Sequence, residues 1–271
     1  MNITVVTTMR NEGPFVLEWL AHLRAIGVGH VVVYTNDCED GTDTLLDTVQ
    51  QLGWLTHIRQ DLAPKDSPQW VALRAAWSLD QVRDADWVMI CDVDEFPDIK
   101  VAGGTLPDLI TSVGECDAIA LPWRLFGNSG QVTFEDLPVA QQFTQCAIPD
   151  LSFPIATTFV KTIFRVKGPF SGLGVHRPKQ KNAQRHGVPV WKAANGDHLP
   201  DHFANVPKRL SLLGMETGRD SADLRHYSLK SVEAFLVKHA RGLPNRASKP
   251  LDLTYWINRN FNGETVEPLP T

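Results

Sequence analysis

Residues 90–98, Ile-Cys-Asp-Val-Asp-Glu-Phe-Pro-Asp, set four carboxylates (Asp92, Asp94, Glu95, Asp98) directly behind an apolar run, Trp87-Val88-Met89-Ile90-Cys91. Carboxylates this close repel, and burying them is costly unless a cation pairs with them. Side chains two apart on an extended strand share a face, so Asp92 and Asp94 can converge on one ion. Oxygen ligands suit Mg2+ or Mn2+, which keep positions open for phosphate oxygens. Such an ion would offset the charge that builds on a departing diphosphate. Asp92 and Asp94 are therefore candidate metal ligands. The plain alternative is that they solvate a strand end and cap the turn after it.

The elements that must position this cluster are read from hydrophobic periodicity. Ile3 to Thr7 forms an apolar strand. Val16, Trp19, Leu20 and Leu23 then recur at helical spacing, with Asn11 as a cap, Pro14 in the first turn and Gly27 as the stop. A strand from His30 to Tyr34 precedes a helix carrying Leu45, Leu46, Val49 and Leu52. Trp54 to Ile58 is a third strand, Ser67-Pro68 opens a third helix, and Asp86 to Cys91 is a fourth strand. Alternating strands and helices with short linkers, the strands being continuous apolar runs, predict an α/β fold: a mostly parallel sheet flanked by helices. Right-handed crossovers align the C-terminal ends of such strands along one edge, where ligands bind. Thr7 to Glu12, Asn36 to Thr42 and Asp92 to Glu95 all fall on that edge.

After residue 100 the pattern loosens. Asp117 to Leu121, Phe159 to Val166 and Val188 to Trp191 read as strands, Trp123 to Gly130 as a glycine-containing loop, and Ser228 to Ala240 as a helix facing inward through Val232, Phe235 and Leu236. The expected division is residues 1–100, an α/β half that carries the three edge clusters, and 101–271, an irregular acceptor-side half of the same domain ending in a helix and tail.

Several classes drop out. No Gly-x-Gly-x-x-Gly follows the first strand and no GxxxxGK[ST] occurs, which disfavours a dinucleotide dehydrogenase and a P-loop enzyme. Net charge is −5 without a basic stripe, so no nucleic-acid partner is indicated. The four cysteines show no CxxC spacing and read as reduced thiols. No apolar stretch reaches the roughly 18 residues of a membrane span, and the N-terminus has no signal-peptide pattern. A cytoplasmic protein is expected, with peripheral attachment to the inner face of the membrane left open.

The stretch from "TTMRNEGPFVLEWL" to "YTNDCEDGTDTLL", followed by "DWVMICDVDEF", resembles glycosyltransferase family 2-like proteins of GT-A fold. The closer resemblance is to the branch that shares DVDEF and a C-terminal His-Tyr segment with family 92 glycosyltransferases. "WRLFGNSG", "GVHRPKQ" and "RHYSLKSVEAFLVKHARG" extend it along the chain. The resemblance implies metal-dependent transfer of a sugar from a UDP- or GDP-linked donor to a glycan or glycolipid acceptor by a hexosyltransferase-type enzyme, with Mn2+ or Mg2+ as cofactor. It places Thr8, Arg10, Asn11 and Glu12 near the base or ribose. Asn36 and Asp37 stand where the wider family has a paired acidic motif, and Arg74 is at a helix position that often faces the nucleotide. His226 would complete the metal shell or touch the diphosphate, and His176 would contact substrate. An inverting reaction needs a carboxylate base, for which Glu135, Asp136, Asp150 and Glu95 are candidates. Two rival readings remain: a nucleotidyltransferase, and a catalytically inactive nucleotide-sugar-binding protein.

Overall fold

The apolar runs pair as the periodicity predicts. In the computed structural model, which describes residues 1–149, 151–206, 208–241 and 251–269, β1 (Ile3–Met9), β2 (His30–Thr35), β3 (Leu55–Arg59) and β4 (Trp87–Ile90) are parallel neighbours in the order β3-β2-β1-β4. Their side chains alternate between two cores. Val5, Val31 and Val33 pack with α1 (Gly13–Ala25) and α2 (Thr42–Gln50). Val6, Val32 and Tyr34 pack on the other face with α3 (Pro68–Ala76) and α4 (Asp80–Arg83). Burial on both faces is what makes these strands continuously apolar.

The later strands extend this sheet instead of building another. β5 (Glu95–Ile99), β6 (Ala118–Leu125), β8 (Val160–Arg165), β11 (Trp191–Ala193) and β12 (Ala222–His226) complete nine described strands, running β4-β8-β6-β12-β5 with β11 also on β6. β8 is antiparallel to β4 and β6, and β12 is antiparallel to β5. Two ribbons lie outside the sheet: β7 (Gln145–Cys146) with β13 (Glu264–Thr265), and β9 (Phe170–Gly172) with β10 (Lys179–Gln180). α5 (Leu106–Val113) joins the α1 face. α6 (Val139–Gln142), α7 (Ala183–His186) and α8 (Asp201–Ala204) are single turns, and α9 (Val232–Arg241) and α10 (Leu253–Ile257) close the described C-terminal part. No described helix is long and apolar enough to cross a membrane.

Three expectations are corrected. Trp123 is in a strand, not a loop. β6 runs through Pro122 because β11 pairs with Ala118–Ala120 and β12 takes over at Trp123, so the missing N–H of proline falls at the handover. Asn11 does not cap α1; it sits at φ 53° and its side-chain carbonyl accepts from Glu39 N at 2.8 Å, tying the first strand end to the second. The C-terminal helix starts at Val232, since residues 222–226 are strand and Lys230 takes a left-handed φ of 60°; Ser231 Oγ accepts from Ala234 N at 3.2 Å. Leu236 is 56% exposed, and Lys238 turns inward instead.

Candidate active site

The sheet delivers the cluster to its C-terminal edge. Val6 pairs with Ile90, and Cys91 N donates to Val6 O at 3.3 Å, which brings Asp92 level with Thr8. The ends of β1 and β2 are stitched together beside it. Arg10 Nε donates to Asp37 O at 3.1 Å, Asn36 Nδ2 donates to Asp37 Oδ2 at 2.9 Å, and Asp40 accepts from Gly13 N and Thr42 N, both at 2.9 Å. Thr8, Arg10, Asn11, Glu12, Asn36 and Asp37 thus gather on one rim. Arg74 is exposed on α3, whose Gln69 reaches Asp92 Oδ1 at 3.4 Å.

The cations that the cluster requires come first from the chain itself. Lys161, fully buried on β8, places Nζ 3.0 Å from Asp92 Oδ2 and 3.2 Å from Glu95 Oε2. Burial opposes its charge, but the two carboxylates raise its pKa above the ordinary lysine range. Burial pushes the Glu95 carboxyl up to about 8, with Lys161 opposing and Asp92 reinforcing the shift. Asp92 N also donates to Glu95 Oε2 at 2.8 Å. Enclosed in this way, Glu95 cannot reach an acceptor hydroxyl as a base.

Asp94 has a different environment. Lys238 of α9 donates to its Oδ2 at 2.7 Å and to Ser228 O at 2.9 Å. Its Oδ1 lies 3.7 Å from His226 Nε2. Burial alone would raise the Asp94 pKa, yet Lys238 and His226 hold it well below the carboxylate range. Burial lowers the pKa of His226, with Asp94 opposing, which favours the neutral imidazole. His226 arrives as the last residue of β12, paired with Glu95 across the strands, and not from a helix N-terminus as its sequence context suggests.

Around this pair is an aromatic wall. The Trp123 ring lies 4.2 Å from that of His226 and 5.1 Å from that of His176, with Phe159 at 5.7 Å from Trp123. Buried Trp123 Nε1, His226 Nδ1 and Thr8 Oγ1 have no hydrogen-bond partner among the described residues. His176 Nδ1 is 2.9 Å from Val160 O, and burial, reinforced by Lys161, lowers its pKa to about 4. Its loop is anchored: Arg177 stacks 4.3 Å over both Trp191 and Phe203 and donates to Phe203 O and Arg209 O. Gly174 is required there, because a Cβ would meet Arg177 O at 2.2 Å.

The residues fit a divalent ion in part. Asp94 Oδ1 and His226 Nε2 are too far apart for a hydrogen bond and close enough to share a cation, one firmly ionised and the other neutral. Asp92 departs from the expected set, since Lys161 and Gln69 engage it. No cluster of three or more His, Cys, Asp and Glu suited to a metal occurs among the described residues. Glu135 and Asp136 lie exposed on the segment between β6 and α6, and Asp150 is outside the described residues. Sequence reading missed Lys161, Lys238, Gln69 and Trp123. The one available signal was a lysine inside the apolar strand Val160-Lys161-Thr162-Ile163-Phe164, which a buried strand tolerates only with a partner.

A parallel α/β sheet bearing an Asp-x-Asp pair at its C-terminal edge, continued through an antiparallel strand, defines a GT-A-like fold. Residues 4–147 match the model of glycosyltransferase family 92, and the chain belongs to that family. A family 92 protein of Oryza sativa subsp. japonica is 28% identical over 95 residues, 35% of this chain and 16% of the rice protein. The crystal structure of S. aureus TarS residues 1–349 with UDP overlaps 92% of this chain and 74% of its own at 14% identity and TM-score 0.42. Glucosyl-3-phosphoglycerate synthase from Mycobacterium tuberculosis, with Mn2+, UDP and phosphoglyceric acid, overlaps 45% and 43% at 12% identity and TM-score 0.28.

Proposed function

We propose that the chain transfers a sugar from a UDP- or GDP-linked donor to a hydroxyl of a glycan or glycolipid acceptor, with inversion at the anomeric carbon. The observation that carries this reading is the meeting of Asp94 and His226, distant in sequence, at the sheet edge where the β1 and β2 ends form a polar rim. Thr8, Arg10, Asn11, Glu12, Asn36 and Asp37 would receive the nucleoside, and Asp92, with Arg74 on the neighbouring helix, the ribose side. Asp94 and His226 would hold Mn2+ or Mg2+, which supplies charge neutralisation for the diphosphate leaving group. His176 and Trp123 would form the wall against the transferred sugar.

In the reaction the acceptor oxygen forms a bond to the anomeric carbon as the bond to the diphosphate oxygen breaks. The acceptor proton passes to a carboxylate, and the electron pair leaves with the diphosphate. Of the described candidates, Glu135 suits the base best. It lines a small cavity with Phe15, Phe134 and Lys230, residues that also line the larger cavity reached by Lys238. Glu135→Gln should lower turnover roughly 10²-fold or more with donor affinity intact. The broader test is a thermal-shift and hydrolysis screen of UDP- and GDP-sugars with and without Mn2+. Stabilisation by one donor class, strengthened by Mn2+, is expected; indifference to every nucleoside diphosphate would refute the reading.

A further inference from the structure

An ammonium carries three hydrogens, and the described residues give that of Lys238 two acceptors, Asp94 Oδ2 at 2.7 Å and Ser228 O at 2.9 Å. The side chain is 11% exposed, so the remaining hydrogen is left to whatever occupies the cavity of about 880 Å3 that Lys238 lines. Asn11 and Glu12, which belong to the nucleoside rim, line the same cavity. Asp94, held by Lys238, belongs to the diphosphate end. A donor laid from the rim to Asp94 therefore passes the Lys238 ammonium.

Charge leads to the same residue. A divalent ion that shares the ionised Asp94 carboxylate does not by itself neutralise a diphosphate, least of all one that gains charge as the sugar leaves. A second cation facing the phosphates completes the balance. Lys230, the other cation of the lining, has Nζ 4.0 Å from Glu12 Oε2 and 3.8 Å from the centre of the Phe15 ring, and so serves the rim. We propose that Lys238 is a phosphate-binding residue: it offers its remaining N–H to the diphosphate of the donor, so that one ammonium ties Asp94, the bound nucleotide and α9 together. The proposal rests on the glycosyl-transfer reading and adds to its donor site a residue from the C-terminal helix.

Calorimetric titration of UDP, GDP, uridine and guanosine against the unaltered protein and Lys238→Gln tests it. A glutamine amide still has N–H groups for Asp94 and Ser228 O, so the variant should fold. Loss of one charge-assisted hydrogen bond should weaken diphosphate binding roughly ten- to a hundredfold and leave nucleoside binding unchanged. That loss should persist when Mn2+ is withheld, because the ammonium itself makes the contact. Diphosphate and nucleoside affinities that fall together, or do not fall, overturn the assignment, as does a loss confined to the Mn2+-loaded protein. Hydrogen exchange on the unaltered protein gives a readout that needs no variant: the amides of α9 should exchange more slowly with the diphosphate bound than with its nucleoside bound. Equal protection by the two also overturns the assignment. If the unaltered protein binds neither UDP nor GDP, the donor reading itself falls.

Discussion

Asp92 and Asp94 are two residues apart, and each is neutralised by a lysine, yet the two arrangements differ in kind. Lys161 lies inside the sheet with both faces covered, shared between Asp92 and Glu95, and nothing can replace it without unpacking β8. Lys238 comes from α9, 144 positions away in the chain, on a helix with an open cavity along its flank. The first arrangement is a fixed charge network that builds the strand end. The second is a counter-ion that a helix shift or a competing cation can displace. An acidic motif that looks uniform in sequence thus divides into a half enclosed by the sheet and a half facing a peripheral helix.

Replacing Lys161 by Met should have the largest effect. Half-buried Asp92 would lose its cation and the buried Glu95 carboxyl its ammonium partner, at a cost of about 3–5 kcal/mol, read from urea unfolding. Adding Glu95→Gln should restore little of that loss, because burial already holds the Glu95 carboxyl largely protonated near neutral pH. Equal stability of Lys161→Met and the parent would break the distinction between the two lysines.

A smaller effect follows from His176. Its folded pKa, about 4, lies below the ordinary 6.5, so the unfolded chain binds a proton that the folded one refuses. Stability should therefore fall as pH drops from 6.5 to about 4, by up to on the order of 3 kcal/mol, and level off below that. His176→Phe, which keeps an aromatic ring against Trp123, should remove that component of the slope; an unchanged slope would assign the acid sensitivity elsewhere.

Much of the fold was legible in the sequence, together with the residues that the sheet gathers at its C-terminal edge. The four parallel strands announced themselves because burial on both faces forces continuous apolar runs, and the edge clusters followed from crossover handedness. The rest depended on partners remote in the chain. Trp123 looked like loop because Pro122 interrupts the run, and only β12 shows why the strand continues. Leu236 looked like the inward face of α9, but an ammonium bonded to buried Asp94 outweighs one more leucine, and the helix is rotated accordingly. Periodicity ranks residues by apolarity and so cannot anticipate a lysine that faces the core.

Lys238→Met sharpens the comparison further. Without its resident ammonium, Asp94 should bind Mn2+ about tenfold more tightly, measured by electron paramagnetic resonance of free Mn2+. Unaltered affinity would mean that lysine and metal do not compete for this carboxylate.

The central claim is that Asp94 and His226 form the diphosphate end of a donor site. Calorimetric titration of UDP, GDP and their nucleosides, with and without Mn2+, against the unaltered protein and His226→Ala tests it most directly. The account predicts that His226→Ala weakens diphosphate binding more than nucleoside binding and that the gap narrows when Mn2+ is withheld. An unchanged ratio of the two affinities, with only a loss of thermal stability, would contradict it and leave His226 a packing residue beside Trp123.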